Sequence, residues 1–346
     1  MAFLDEDKLA KLLKEEISNN IWLLFGDDAF LKDFYCNKLI SLTVDESLKF
    51  FNFHAYDEKS ELEEIFATAE NLPVMSEKTC ILVKNYPLNQ LSDKALKTFA
   101  ENLSDIPEST VMIFFYSSVD VQYSPKKSSK WNSAVEIFSK HGVAAQINHR
   151  TPAKTAKLLM SKAKDRGTSI DYDTAMYLIM SVGDDMQTLL NEFNKVCSFS
   201  EGKPVTPEMI DKTSVKSVEA SVFDISTSIF SGDTDKAFAI LNELLRQKTP
   251  AASIIGALSG AYVNIYRYKT ALNADKSISD FSSLFGYGEK YSYTFNKISA
   301  YTRKSKMSSI RKALDILADA DIKSKSSAAA DVILLTELIS KLAELG

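Results

Sequence analysis

Residues 21–31 read Ile-Trp-Leu-Leu-Phe-Gly-Asp-Asp-Ala-Phe-Leu, an apolar run that ends at a glycine and two carboxylates before a second apolar segment. The five residues of the run do not alternate with polar ones, which is typical of a strand buried on both faces. From Ala29 to Ile40, apolar side chains recur at helical spacing instead. The stretch therefore predicts a buried strand, a turn at Gly26 and a helix.

The same alternation of strands and helices continues through the first 147 residues. Further strands are predicted at Phe50–Tyr56, Cys80–Val83, Val111–Tyr116 and Val143–Ile147, with helices at Ser60–Ala69, Lys94–Leu103 and Trp131–Lys140. Strands that alternate with helices imply a parallel sheet with helices on both faces. Residues 1–147 are therefore predicted to form an α/β domain.

Beyond residue 147 only helical periodicity occurs. Thr151-Pro152 is a typical helix start, with a capping hydroxyl followed by proline at the first helical position. A small helical domain is predicted over residues 148–213 and a larger one over residues 214–346. The predicted fold class is thus α/β plus all-α, in three domains.

The composition is that of an ordinary globular protein, with 45% apolar and 25% charged residues among 346. The formal net charge of −5 gives no global basic signature, so any contact with nucleic acid must be local or made within an assembly. The cysteines Cys36, Cys80 and Cys197 lie far apart without metal-ligand spacing, which favours a reduced, cytoplasmic setting. Residues 1–17 predict an amphipathic helix rather than a signal peptide, and no apolar run is long enough to predict a membrane span.

The turn after the first predicted strand can be compared with a phosphate-binding loop. Such a loop reads GxxxxGK[ST], where backbone N–H groups and a lysine hold phosphates and a hydroxyl holds Mg²⁺. Here Gly26 is followed by Asp27 and Asp28, whose carboxylates would repel an anion but suit the cap of a helix. The third predicted strand ends in Lys84-Asn85, where a nucleoside triphosphatase has an acidic pair for its metal. These five residues are therefore predicted to form a degenerate nucleotide site.

No arrangement typical of catalysis or metal binding appears elsewhere. The histidines His54, His141 and His149 are scattered along the chain, and no GxSxG, HExxH or Cys/His spacing occurs. The sequence therefore predicts no catalytic residues, no metal site and no cofactor.

An apolar segment stands where a short loop is predicted. Between a predicted helix and the strand at Cys80, residues 71–78 read Asn-Leu-Pro-Val-Met-Ser-Glu-Lys. Leu72, Val74 and Met75 either fold back onto the core or form an exposed plug for a partner's pocket, a use to which the flexible methionine side chain is suited. The residues taken alone favour packing on the core, and both alternatives stay open.

The order of these features resembles the delta-subunit family of bacterial DNA polymerase III, from about Ile21 to the C-terminus. LLFGDDAFLKDFY at 23–35 corresponds to the family's strand, glycine, acidic residue and hydrophobic helix. LPVMSEKTCILVKN at 72–85 corresponds to its small hydrophobic turn, charged residues and a strand that ends in Lys-Asn. Gly183-Asp184-Asp185-Met186 and Val222-Phe223-Asp224-Ile225 correspond to landmarks of the two helical parts.

The resemblance implies a degenerate AAA+-type parallel-sheet domain, a small helical lid domain and a C-terminal helical collar domain. Similar proteins are non-catalytic clamp-loader subunits of the replicative DNA polymerase holoenzyme. They bind and open the sliding clamp for loading on primed DNA, join the other clamp-loader subunits through the collar, and leave ATP hydrolysis to those partners. By position, the clamp-binding residues would be Leu72, Pro73, Val74 and Met75. The family often has a bulky Leu or Phe pair there, whereas this chain has Val-Met.

Two local basic clusters are candidates for contact with DNA. They comprise Lys126, Lys127 and Lys130 in the first part of the chain, and Arg303, Lys304 and Lys306 in the last. A cluster of like charges is more often a solvated face than a phosphate-binding site. A ring that threads DNA could still use one of them against phosphate, so both interpretations stay open.

Two other functions stay open as well. One is an active nucleotide-binding ATPase of the same superfamily with an atypical site, which nucleotide retained on purification would support. The other is a non-catalytic helical scaffold of an unrelated assembly, which binding to the sliding clamp would separate from the clamp-loader interpretation.

Overall fold

The computed structural model describes residues 2–14, 19–118, 123–124, 129–277, 280–281, 285, 299, 302–303, 305–326 and 331–345. The chain divides into two compact units, Met1–His149 and Arg150–Gly346.

The first unit is built on a six-stranded sheet in which every neighbouring pair is parallel. The strands are β1 (Ala2–Asp5), β2 (Ile21–Phe25), β3 (Phe53–Tyr56), β4 (Thr79–Lys84), β5 (Thr110–Phe115) and β6 (Val143–Gln146), in the spatial order β1-β6-β2-β5-β4-β3. The helices are α1 (Glu6–Leu12), α2 (Ala29–Thr43), α3 (Lys49–Asn52), α4 (Leu62–Ala69), α5 (Asp93–Ser104) and α6 (Lys130–His141).

Apolar cores lie on both faces of this sheet. In β2, Ile21, Leu23 and Phe25 face one core, whereas Trp22 and Leu24 face the other. Helices α4, α5 and α6 cover the first core, and α1 and α2 cover the second. Because both faces are covered, the central strands β2 and β5 are buried along their whole length, as the unalternating run at 21–25 predicts, whereas the edge strand β3 is only partly buried. The α/β prediction for this part of the chain is confirmed.

Two local predictions in the first unit are wrong. Residues 2–5, predicted as part of a helix, form β1 because they pair with Val143–Gln146 at the edge of the sheet. Residues 49–52, predicted in part as a strand, form the short helix α3, and the strand begins only at Phe53. In both places pairing within the sheet, rather than the local apolar pattern, fixes where the strand lies.

Every secondary-structure element described in the second unit is a helix. Its helices are α7 (Pro152–Asp165), α8 (Tyr172–Val182), α9 (Met186–Phe199), α10 (Pro207–Thr213), α11 (Val218–Phe230), α12 (Thr234–Arg246), α13 (Ala251–Asn273), α14 (Met307–Ser326) and α15 (Asp331–Ala343). Helices α7–α10 surround one apolar core, and α11–α15 surround others. The all-α prediction is confirmed, while the division of the chain at residues 147 and 213 stays a prediction.

All three cysteines are buried core residues. Cys36 on α2 and Cys80 on β4 belong to the first unit, and Cys197 on α9 belongs to the second. Burial raises the pKa of the Cys36 and Cys80 thiols to about 12 and also raises the pKa of Cys197. The three thiols therefore remain protonated and apolar in the folded chain at neutral pH.

Candidate functional site

The first candidate site lies at the carboxyl end of β2. β2 and β5 are neighbours, and the helices that follow them, α2 and α6, cover opposite faces of the sheet. Parallel α/β folds bind ligands at the carboxyl ends of two such strands. Gly26 follows β2 with φ of +123°, and a Cβ atom there would lie 2.2 Å from the carbonyl oxygen of Ile147. Only glycine permits this approach, which lets the N–H of Asp28 donate to the same oxygen at 3.2 Å.

Both carboxylates at this turn are held by the protein itself. Asp28 is buried and caps α2, since its Oδ1 accepts the N–H of Leu31 at 2.8 Å while its Oδ2 lies 3.3 Å from Nδ1 of His149. Oδ1 of Asp27 accepts the backbone N–H of His149 at 2.7 Å. In a phosphate-binding loop, free backbone N–H groups would point at the anion. Here carboxylate oxygens stand in that region instead.

Lys32, on the first turn of α2, is not among the residues predicted from sequence for this site. Its side chain is fully buried, and Nζ donates to the carbonyl oxygens of Tyr116, Ser117 and Ser118 at 2.8, 3.0 and 2.9 Å. Burial lowers the pKa of Lys32, against the opposing charges of Asp33, Asp27 and Asp28. All three ammonium protons are thus directed at the chain that follows β5.

A sequence signal for Lys32 does exist. Lys32 stands six residues after Gly26, the same interval that separates the first glycine from the lysine in GxxxxGK. The intervening glycine is replaced by Leu31, and the hydroxyl residue that should follow is Asp33. The interval alone identifies the position, although it cannot reveal that the ammonium is hydrogen-bonded to backbone carbonyls.

The ends of β4 and β5 complete this edge of the sheet. Lys84 is exposed at the end of β4. Asn85, with φ of +53°, accepts the N–H of Ser117 at 2.8 Å and lies 3.0 Å from its hydroxyl. The structure therefore brings Gly26, Asp27, Asp28 and Asn85 to the same edge of the sheet. Among the described residues, no group of three or more His, Cys, Asp or Glu could hold a metal ion.

The second candidate site is the loop before β4, which we call the apolar tip and define as Leu72, Pro73, Val74 and Met75. The side chains of Leu72, Val74 and Met75 are 83%, 46% and 87% exposed, and Pro73 is half-buried. Met75 has φ of +54°, in the left-handed region. The side chains of the tip thus point largely to solvent. Of the two alternatives that the sequence leaves open, the loop has the exposed one and does not fold back onto the core.

The backbone of the apolar tip is fixed by one buried side chain. The amide of Asn52, at the end of α3, accepts the N–H of Val74 at 2.7 Å and donates to its carbonyl oxygen at 2.8 Å. Asn52 is fully buried, and its Nδ2 also lies 3.3 Å from the carbonyl oxygen of Leu48. The tip therefore combines exposed apolar side chains with an anchored backbone.

Replacing Asn52 with Ala should destabilise the first unit by about 1–2 kcal/mol, because two hydrogen bonds to Val74 are lost in a buried setting. The midpoint of urea unfolding, followed by tryptophan fluorescence, measures this, since Trp22 and Trp131 both lie in the first unit. Limited proteolysis should also cut the loop faster. Asn37→Ala, on the exposed side of α2, is the control; equal loop cleavage in both variants would show that Asn52 does not fix the tip.

The candidate DNA-contact residues are only partly described. Lys130 begins α6 and donates from Nζ to the carbonyl oxygen of Leu91 at 2.8 Å. Arg303 and Lys306 are exposed in the second unit. The remaining three predicted residues, Lys126, Lys127 and Lys304, lie outside the described residues.

Comparison with known proteins identifies the family. The family model of the DNA polymerase III delta subunit matches residues 22–137, and that of the delta subunit's C-terminal domain matches residues 219–342. The DNA polymerase III subunit delta of Bacillus subtilis is 22% identical over 262 residues, which is 75% of each chain. Among solved structures, a DNA clamp loader delta protein of Bacillus subtilis has a TM-score of 0.64 at 20% identity, covering 98% of this chain and 99% of that one.

The likeness to this solved structure is one of fold alone: a six-stranded parallel-sheet unit followed by helices. None of the described helices is both long and apolar enough to cross a membrane. Two family models together match most of the chain, one within each compact unit. The chain belongs to the DNA polymerase III delta-subunit family.

Proposed function

We propose that this chain is a clamp-loader subunit that binds the sliding clamp through its apolar tip and opens it for loading on primed DNA. The observation that carries the proposal is the exposed, anchored tip in a chain of this family. The Bacillus subtilis structure of the same fold is described as a DNA clamp loader delta protein, which supports the assignment.

The geometry of the tip suits insertion into an apolar pocket. Fully burying one aliphatic side chain contributes about 1.5–3 kcal/mol, so Leu72 and Met75 alone could support a specific contact. Because the amide of Asn52 already holds the backbone at Val74, little ordering of the loop is needed on binding. Preorganisation of this kind raises affinity by lowering the entropic cost of association.

Opening of the clamp would follow if the chain bound the open shape of the clamp more tightly than the closed shape. A ligand shifts a conformational equilibrium only by its differential affinity for the two states. The tip would therefore have to fit its pocket better when an interface of the clamp is sprung. A rigid α/β unit behind the tip suits this task, because it presents the apolar side chains in one arrangement.

We further propose that the chain does not hydrolyse ATP and that partner subunits supply this activity. Three features of the degenerate site support this: Asp27 and Asp28 would repel a phosphate, Lys32 is directed at backbone carbonyls, and Lys84-Asn85 offers no carboxylate for Mg²⁺. Direct titration with ATP and Mg²⁺ tests the point. Saturable binding would favour an atypical ATPase instead.

The helical second unit would join the chain to the other clamp-loader subunits, with residues 148–213 as lid and 214–346 as collar. Ile322 on α14 and Val332 and Ile333 on α15 are exposed apolar residues, which is the kind of surface that helices of neighbouring subunits cover. Contact with DNA within the assembly would use the basic residues Lys130, Arg303 and Lys306, together with their charged neighbours in sequence.

Direct binding of the purified full chain to its sliding clamp tests the proposed function. The double substitution Val74→Ala/Met75→Ala should weaken binding by about 1.5–3 kcal/mol, roughly 10- to 150-fold, because buried apolar surface is lost. A fluorophore pair across an interface of the clamp should report less opening with this variant.

The control is Leu42→Ala, which removes an exposed leucine from α2 and should leave affinity unchanged. If the folded wild-type chain does not bind the clamp, the proposed function is wrong. If the wild type and the double variant bind equally, the tip is not the contact.

A further inference from the structure

Two phenylalanines next to the apolar tip are unusually exposed. Phe50 and Phe51 on α3 are 88% and 51% exposed, and their rings meet edge to face with centroids 5.1 Å apart. Burying a phenylalanine side chain is strongly favourable, so an adjacent pair that stays exposed indicates an interaction surface. The degenerate nucleotide site does not involve them.

The pair and the tip lie on the same edge of the sheet. Helix α3 directly precedes β3, the tip precedes β4, and these two strands are parallel neighbours, so both segments lie at the amino ends of their strands. The nucleotide-site residues lie at the opposite, carboxyl edge. The pair is therefore remote from the phosphate-loop region and close to the tip.

A fixed link joins the two segments. Asn52 is the next residue after Phe51, and its amide makes the two hydrogen bonds to the backbone of Val74. Adjacent Cα atoms are about 3.8 Å apart, so Phe51 cannot move far from the tip while this link holds. Phe50 and Phe51 are thus exposed on a segment whose end is hydrogen-bonded to the segment that carries Leu72, Val74 and Met75.

The apolar tip alone is too small to form a stable contact with another protein. A stable protein contact covers about 800 Å² on each partner, far more than a tip of four residues can supply. Buried aromatic side chains contribute about 150–250 Å² each, and aromatic residues are enriched in the cores of interfaces. The tip contains no aromatic residue, whereas the adjoining helix presents two.

We infer that Phe50 and Phe51 are the second anchor of the clamp-binding surface, so that the apolar pocket of the sliding clamp receives α3 together with the tip. This inference rests on the proposed function. The edge-to-face pair of Phe50 and Phe51 supplies a bulky apolar contact at the amino ends of β3 and β4. Leu72 and Met75 supply smaller aliphatic contacts beside it.

The test is direct binding of the full chain to the sliding clamp, with Phe50→Ala as the main variant because this side chain is more exposed than that of Phe51. We expect affinity to fall by about tenfold or more, as for an interface hot spot, with an unchanged thermal midpoint. Phe50→Ala/Phe51→Ala should weaken binding further. Phe34→Ala, an exposed phenylalanine on α2, should have no effect.

The remaining outcomes separate this inference from the proposed function. Unchanged affinity for Phe50→Ala, together with weaker binding by Val74→Ala/Met75→Ala, would overturn the inference and leave the proposed function standing. Absence of binding by the folded wild type would overturn both. If sedimentation shows that Phe50→Ala dissociates a dimer of the chain while clamp affinity is unchanged, the pair binds a second copy and the inference is wrong.

Discussion

Substituting Gly26 with Ala should destabilise the first unit by about 4 kcal/mol or more, the range of the most severe single substitutions. The new Cβ would lie 2.2 Å from the carbonyl oxygen and 2.6 Å from the carbonyl carbon of Ile147, and backbone cannot yield as a flexible side chain can. The φ of +123° is also closed to alanine. Relief requires β2 and β6 to separate, which breaks the bond from the N–H of Ile147 to the oxygen of Phe25.

Urea unfolding followed by tryptophan fluorescence measures this loss in the first unit alone, since Trp22 and Trp131 both lie there. Gly167→Ala is the control: Gly167 has φ of +72°, and a Cβ there would meet nothing within 4 Å. That variant should lose only about 1–2 kcal/mol, and its fluorescence-detected unfolding of the first unit should match the wild type. A similar small loss for Gly26→Ala would show that β2 and β6 are not closely packed at this turn.

Substituting Lys32 with Met should destabilise the first unit by about 2–4 kcal/mol, because methionine fills a similar volume but donates no hydrogen bond. The carbonyl oxygens of Tyr116, Ser117 and Ser118 would lose their shared donor. The loss is bounded because desolvation of the buried ammonium, which lowers its pKa, already costs the native state free energy.

The same fluorescence-detected unfolding applies to this variant. Lys38→Met is the matched control, since Lys38 is half-buried on the same helix and should tolerate the change within about 0.5 kcal/mol. Clamp binding by folded Lys32→Met should match the wild type, because the lysine lies at the opposite edge of the sheet from the tip. Equal stability of the two variants would mean that the three carbonyls are satisfied without Lys32.

The sheet could be predicted from sequence because its strands are buried on both faces. The run Ile21–Phe25 is a strand with the predicted bounds, and the segment predicted at Cys80–Val83 extends by only one residue at each end. In contrast, β1 could not be predicted, since residues 2–5 become a strand only through pairing with residues more than a hundred positions away. Local periodicity carries no information about such partners.

The roles of the candidate-site residues were harder to predict from sequence, for a related reason. The interval from Gly26 identifies the position of Lys32, but its hydrogen bonds depend on the chain after β5, 84 residues later, and cannot be predicted from that interval. The exposure of Leu72 and Met75 could not be read from their apolar character, which fits a core residue equally well. Phe50 and Phe51 have the pattern of a strand, so their place on an exposed helical turn becomes visible only in the fold.

Because the three thiols are buried, their rates of alkylation measure how often the structure around each one opens. A cysteine reacts with an alkylating reagent as its thiolate, and these side chains are both protonated and shielded from solvent in the folded state. Each modification therefore reports a moment at which the surrounding structure was open. Because Cys36 and Cys80 belong to one unit and Cys197 to the other, mass spectrometry after a pulse of reagent would read the opening rates of the two units separately, in the free chain and in any assembly that contains it.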